Sequence, residues 1–320
     1  MKITAWPRAV VVALGAAAAL TVVVLAFLWP SVTSTVQGIP IAVVGDNPAV
    51  TDQLAGQFEV STAATREAAI RAIETREVYG AVVIGQQPEV LTASANGTAV
   101  SQMFGQIAAQ MNTTAVDVVP FSSSDARGAG LSGMSFPLVI GGIIGGVIIS
   151  MLVRGTSRRL LSTVVYGVAA GIVVVAVTQG WFGILQGAIV VNVAAVTAAI
   201  LAITALIVGL TSIVGPAGIG IAAVLMMFIG NPISGAAAPS QFLPGAWGTI
   251  GQFFPPGAGS TLLRTLSYFP DASTSQPWLV LIAWIVAGLA FTAVGHRKIK
   301  TAGASTVRAS SETEPERVAL

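Results

Sequence analysis

Between Arg159 and Arg264 the chain carries no aspartate, glutamate, lysine or arginine. A soluble fold cannot cover so long an uncharged and apolar stretch. A bilayer accepts it span by span, because each helix of about 20 apolar residues satisfies its own backbone. The remaining composition agrees: 54% of residues are hydrophobic, 9% are charged and the mean hydropathy is +0.83, against about 25% charged residues in soluble domains. The net charge of +2 is small, and no basic cluster is interleaved with aromatics, so a nucleic-acid partner is not expected. The absence of cysteine excludes disulfides, thiolate metal sites and a cysteine nucleophile. Lysine occurs only at Lys2, Lys298 and Lys300, while arginine, alanine, valine and glycine abound, a composition that reads as a GC-rich bacterial genome.

The few charges mark topology. Residues 9–29 are apolar and long enough to span, with Lys2 and Arg8 before them, which places the N-terminus in the cytoplasm. A cleaved signal peptide is the alternative, but the apolar core is long for one and no small-x-small site follows at "FLWPS". Further spans are expected from 136 to about 153, at 160–178, at 187–210, at 212–229 and at 277–294. "RGTSRR" (154–159) and "HRKIK" (296–300) are dense in positive charge and belong on the cytoplasmic side of a bacterial cell membrane. The expected fold class is therefore a six-span α-helical membrane protein with both termini cytoplasmic. The two basic clusters fix only parity between the third and sixth spans, so a re-entrant hairpin would serve as well as a crossing. The tail, 297–320, is polar and expected to be disordered.

Residues 31–135 differ in texture and hold most of the acidic groups. "IPIAVV" reads as a buried strand, and Asn47 with Pro48 as the cap and first position of a helix. "ATREAAIRAIETREV" reads as a second helix, with Ile70 and Ile73 on one face and Glu67 four residues before Arg71. "YGAVVIG" reads as another strand and "EVLTASA" as a third. In "GTAVSQMFGQIAAQMN", Val100, Met103, Phe104, Ile107, Ala108 and Met111 follow the rhythm of one buried helix face. Strands alternating with helices imply a small extracytoplasmic α/β domain, joined to the bundle by a flexible linker at 121–133.

Catalytic machinery is sparse, and neither enzyme activity nor a cofactor or metal is expected. The one histidine, His296, lies in a basic stop signal. "GPAGIG" (215–220) lacks the Lys-Ser/Thr of a phosphate loop and reads as packing glycine, and no Walker motif occurs. "NGT" (96–98) is formally a glycosylation sequon. Gly141/Gly145, Gly142/Gly146 and Gly167/Gly171 are small-xxx-small pairs, suited to packing within one bundle or to a dimer seam. Asn192 must find a hydrogen-bond partner in lipid. With no titratable residue in the spans, no proton relay is evident.

The stretch from 231 to 271 is too rich in proline and glycine to cross as one helix and too apolar for an ordinary wet loop. It reads as a re-entrant or interfacial element over the outer mouth of the bundle, with an interface-hugging loop of no gating role as the alternative. Pro244, Trp247, Phe253, Pro255 and Arg264 are the candidate gate residues.

One outer domain after the first span, followed by five further spans, resembles the type-2 ABC transporter permeases, in their phage-infection-protein-like branch. The resemblance rests on "IPIAVVGDN", "AIRAIETREVYGAVVIG" and "NPISGAAAPSQFLPGAWGTIGQFFPPGAGSTLLR". It implies an exporter's membrane subunit, paired as a homodimer or with a second permease and driven by a separate ABC ATPase. It also makes the 231–275 loop the outer gate and Arg154, Arg158 and Arg159 the coupling loop. The uncharged span walls point to amphipathic or lipid-like substrates. The rival reading is a non-transporting scaffold, secretion accessory or receptor acting through the outer domain.

Overall fold

The computed structural model describes residues 5–33 and 38–312. In chain order, helix α1 (Trp6–Thr33) leads into the sheet domain, called the outer domain after its expected side of the membrane: β1 (Ile39–Val44), α2 (Pro48–Ala55), β2 (Phe58–Ala63), α3 (Arg66–Glu74), β3 (Gly80–Val83), β4 (Glu89–Thr92), α4 (Thr98–Gln110) and β5 (Ala115–Asp117). The bundle adds α5 (Ala129–Gly133), α6 (Ser135–Leu152), α7 (Thr156–Val175), α8 (Ile189–Val214), α9 (Ala217–Ala223), α10 (Trp247–Gly251), α11 (Pro255–Tyr268) and α12 (Ser275–Glu312). The chain is mainly helical with a small sheet domain. Among the described residues, five helices are long and apolar enough to cross a bilayer.

The outer domain is a five-stranded sheet in the order β2-β1-β3-β4-β5, parallel except for the β3–β4 pair. Alternation along β1 divides its side chains between two cores. Ile39 and Ile41 meet Val100, Phe104 and Ala108 of α4, and Ala42 meets Ala69 and Ile73 of α3. Gly80 makes room for Phe104: a Cβ there would lie 2.6 Å from the ring. Asn47 accepts from the Val50 amide at 3.4 Å and caps α2. The strands β2 and β5 have no counterpart among the strands expected from the sequence. β2 is an edge strand with only Phe58 fully buried, and β5 has three residues with none buried, so neither carries the apolar run that marks a strand. Glu67 and Arg71 make no ion pair among the described residues. Arg66 instead bonds Glu89, which holds the Glu89 carboxyl below the usual range.

Because α4 seals one sheet face with its own core, residues 38–120 should fold as a soluble α/β unit, with mixed circular dichroism. Phe104→Ala in that unit should cost about 3–5 kcal/mol in urea unfolding. A disordered wild-type product would show that the bundle is needed to complete the domain.

In the bundle α8 is the hub. Its apolar core is 78% buried, against 44% or less for the other spans. Residues 121–133, expected as a flexible linker, are ordered. The Asp125 carboxylate accepts from the amides of Gly130 and Leu131 at 3.0 and 2.9 Å, which starts α5 and lengthens the second span to Ala129–Leu152. The expected span at 212–229 is corrected. α8 runs on through Thr211 and Ser212 to Val214, and the turn falls at Gly215, whose φ is +73°, and Pro216. Beyond this turn, α9 and the π-helical segment Val224–Gly230 form a short apolar helix, Ala217–Gly230. At 1.5 Å per residue it reaches about 21 Å, short of a hydrocarbon core of about 30 Å. α12 continues to Glu312, into the tail expected to be disordered, where no proline intervenes before Pro315; residues 313–320 lie outside the described residues.

Candidate functional site at the junction of outer domain and bundle

After Gly230 the chain returns toward the outer domain. Gly97 and Pro239 lie in contact distance of one another, and Tyr79 Oη donates to Gln241 Oε1 at 2.7 Å. It then descends. Trp284, nine residues into α12, donates its indole N–H to the Phe253 carbonyl at 2.8 Å, and Phe254 stacks at a tilt on the same ring. From there α11 climbs back, opened by Pro255 and Pro256 in the first turn where proline is tolerated. Gly259 faces Ala199, well inside α8, while Tyr268 at the far end donates to the Ile184 carbonyl at 3.1 Å. A half-helix thus lies against α8 and α12, with its C-terminal end beside the outer domain.

Two arginines join that helix to the sheet domain. Arg264 is 8% exposed. It donates to the carbonyls of Ala95, in the outer domain, and Ala236, in the returning loop, both at 3.0 Å. Arg76 follows the last turn of α3 at φ +62°. There it closes the helix as a glycine usually would, since its amide bonds Ile73 O and the next amide bonds Ala72 O. A left-handed backbone costs a non-glycine residue about 1–2 kcal/mol, and this one directs the side chain at α11. Arg76 Nε donates to Asn96 Oδ1 at 3.1 Å and Nη1 to Thr265 Oγ1 and the Thr261 carbonyl, while its guanidinium sits 5.3 Å above the Phe269 ring. Thr261, Arg264 and Thr265 are one turn of α11, so both guanidiniums meet the same helix face. Desolvation lowers the Arg76 pKa from its ordinary value. Among the described residues no carboxylate pairs with either arginine.

The five candidate gate residues do not converge. Arg264 faces the outer domain. Trp247 is 43% exposed and meets Trp29 of α1 edge-on at 6.1 Å. The Phe253 ring is exposed while its carbonyl is held by Trp284. Pro255 is buried at the start of α11, and Pro244 is half-buried in the loop. Arg76, Tyr79 and Gln241 were not singled out from the sequence, because nothing local marks a residue whose partner is 162 to 189 positions away. Asn96, in the formal sequon, is buried and bonded to Arg76, which leaves its side chain no room for a glycan.

At the opposite end of the bundle, Ser150, Arg154, Arg159, Ser212, Pro216, Thr292 and Gly295 line one pocket of about 350 Å³. The 154–159 turn and Thr292 and Gly295 near the end of the last span therefore share one face. Arg159 is committed there: Nε donates to Val153 O at 2.9 Å, Nη2 to Ser150 O at 2.9 Å and Nη1 to Ser212 Oγ at 3.2 Å. It caps α6 and ties that turn to α8. Arg154 and Arg158 are both exposed. Arg159→Lys should lower the melting temperature, because one ammonium cannot serve three divergent acceptors. Arg154→Lys and Arg158→Lys should stay within about 0.5 kcal/mol of the parent; equal losses at all three would refute the capping role.

The bundle glycines contact helices of the same chain. A Cβ on Gly142 or Gly146 would lie 2.8 or 2.7 Å from the Cβ of Ile203 or Ile207. Gly145 and Gly167 are filled by Tyr166 and Leu201, Gly171 by Thr197. Gly141 offers its carbonyl to the Tyr166 hydroxyl at 2.6 Å. Asn192 donates to Gln179 Oε1 and the Gln186 carbonyl, both at 2.8 Å, and pins the α7–α8 connection. Three further glycines, Gly209, Gly288 and Gly295, hold α8 against α12 at backbone distance.

Compared with family models, with curated proteins and with solved structures, the chain matches none.

Proposed function

We propose that this chain is the membrane subunit of an ABC-type exporter for amphipathic or lipid-like molecules, set in a bacterial plasma membrane with the sheet domain outside and the 154–159 turn in the cytoplasm. It would act as a homodimer or with a second permease, driven by a separate ATPase chain. In this scheme Ala217–Gly230 and the returning loop together make the outward crossing between α8 and α12, so six crossings bring both ends inside. The observation that carries the reading is the half-helix α11, lodged between α8, α12 and the outer domain. Interrupted backbone beside spans is tolerated where it is buried in protein or lines a cavity, which is where a path through a bundle needs it. The walls of α6, of α8 and of α7 beyond Arg159 carry no charge and suit an apolar cargo. Arg154 and Arg158 are the cations offered to an ATPase's carboxylates, and Arg159 holds their turn rigid.

The rival reading, a scaffold or receptor acting through its outer domain, is favoured by one feature. The core that begins at Ala42 and Ile73 runs without a break through Phe121 and Leu131 to Leu262 and Leu281, as a rigid platform would. The test is purification of the full chain from its native membrane with crosslinking. Recovery of an ATPase that is lost on Arg154→Glu with Arg158→Glu supports the exporter. A wild-type protein that recruits no ATPase fails it and leaves the platform. Labelling of Ser157→Cys by an impermeant thiol reagent in intact cells would overturn the topology itself.

A further inference from the structure

The two junction arginines border a small polar cavity of about 30 Å³, which Tyr79, Thr98, Gln252 and Ser260 also line. One water needs about 10–15 Å³, so the space fits two waters or two oxygens of an oxyanion. Arg264 spends one N–H from each terminal nitrogen on carbonyls. Arg76 spends Nε and Nη1. Among the described residues, Arg76 Nη2 and Arg264 Nε bond no protein acceptor, and every acceptor the pair does use is neutral. The amino end of α4 opens on the same space through Gly97 and Thr98, and no side chain caps it, which adds a helix terminus that favours negative charge. Arg264 is buried and Arg76 half-buried, and two positive charges held together with no carboxylate form a site that favours a counter-charge, because burial makes unpaired charge costly.

A second space adjoins. A crevice of about 310 Å³, lined by Phe27, Phe136, Phe242 and Leu243, shares Ser132, Gly235, Ala237, Ala238 and Pro239 with the polar cavity. The crevice is mostly apolar and reaches α1, and the cationic cavity lies behind it. That is the division an anionic amphiphile has within itself.

We propose that the Arg76–Arg264 cavity binds one phosphoryl oxyanion, either inorganic phosphate or the headgroup of a phospholipid whose chain lies in the adjoining crevice. A tetrahedral oxyanion offers several acceptors to two converging guanidiniums, a geometry that arginine matches and lysine does not. Bound there, it completes the joint between the sheet domain, the returning loop and α11. The site stands whether or not the bundle transports anything.

Thermal unfolding of the full chain tests this. In neutral detergent, sodium phosphate replaces chloride at constant ionic strength and pH. In a second arm, the protein sits in nanodiscs of phosphatidylcholine with or without phosphatidic acid. A saturable rise of several degrees with phosphate assigns the site to the free ion. A rise with phosphatidic acid alone assigns it to a lipid headgroup. Arg76→Gln should abolish either response. Ser260→Asp places a carboxylate in the cavity, so it should raise the melting temperature without ligand and remove the response. No shift in either arm overturns the proposal, as does a full shift retained by Arg76→Gln. In that case the arginines serve as struts to backbone carbonyls and nothing more.

Discussion

Gly288→Leu should separate α12 from α8 and lower the thermal stability of the detergent-purified protein by about 3 kcal/mol or more, in spite of a gain in helix propensity. A Cβ at Gly288 would lie 2.4 Å from the Ala205 carbonyl carbon and 2.6 Å from the Leu206 amide nitrogen. These are backbone atoms in the middle of the hub helix and cannot turn aside as a side chain can. The contact is reciprocal, since a Cβ at Gly209 would lie 2.4 Å from the Gly288 carbonyl oxygen. Glycine to leucine inside a helix normally gains about 1 kcal/mol, whereas overpacking a filled contact costs about 1–3 kcal/mol, occasionally more. Here the whole helix must move, and in lipid close packing is what holds helices together. Gly220→Leu is the control. Nothing lies within 4 Å of its Cβ position, so it should be neutral or stabilising. Equal losses at both positions would mean that leucine itself, not the crossing, does the harm.

Arg264→Met should detach the outer domain from α11 without unfolding either. The variant strips the carbonyls of Ala95 and Ala236 of their donors. A hydrogen bond from a charged group is worth about 1.5–3 kcal/mol, and an unsatisfied buried carbonyl costs about 1–3 kcal/mol. Removing a buried unpaired charge offsets part of that, which leaves a net loosening of about 2 kcal/mol. Hydrogen exchange should then quicken by about tenfold or more at residues 93–97 and 233–240, while β1 and the middle of α8 stay protected. Arg264→Lys keeps the charge but reaches one carbonyl at a time, so it should loosen the same segments. Full protection in the lysine variant would show that charge, not the fork, makes the joint.

How much of this is legible in the sequence differs from element to element. The strands β1, β3 and β4 stand out as short apolar runs, α3 and α4 by the period of their buried faces, and α2 by its cap, Asn47 before Pro48. The edge strands β2 and β5 do not, since an edge with few buried side chains has no such rhythm. The helix α5 is invisible because a single carboxylate, Asp125, starts it. Arg264 is conspicuous as a lone charge in an apolar run, but its companion Arg76 looks like any surface arginine in "ETREVYG". The pairs Gly142/Gly146 and Gly167/Gly171 announce themselves by spacing, whereas Gly209 and Gly288 sit on different helices and share no motif.

The amino-acid sequence by itself determined that the chain carries several helices long and apolar enough for a bilayer, that strands and helices alternate between the first of them and the rest, and which segments are too broken to cross. These are properties of composition and short-range period, which any helix or strand must express locally. Only the tertiary structure decided that the fifth apolar segment stops short, that α11 turns back against α8 and α12, and that two distant arginines close over one uncompensated cavity. Those outcomes depend on which surfaces meet, and contacts between Arg76 and Thr265 or Gly209 and Gly288 leave no trace in the residues beside them.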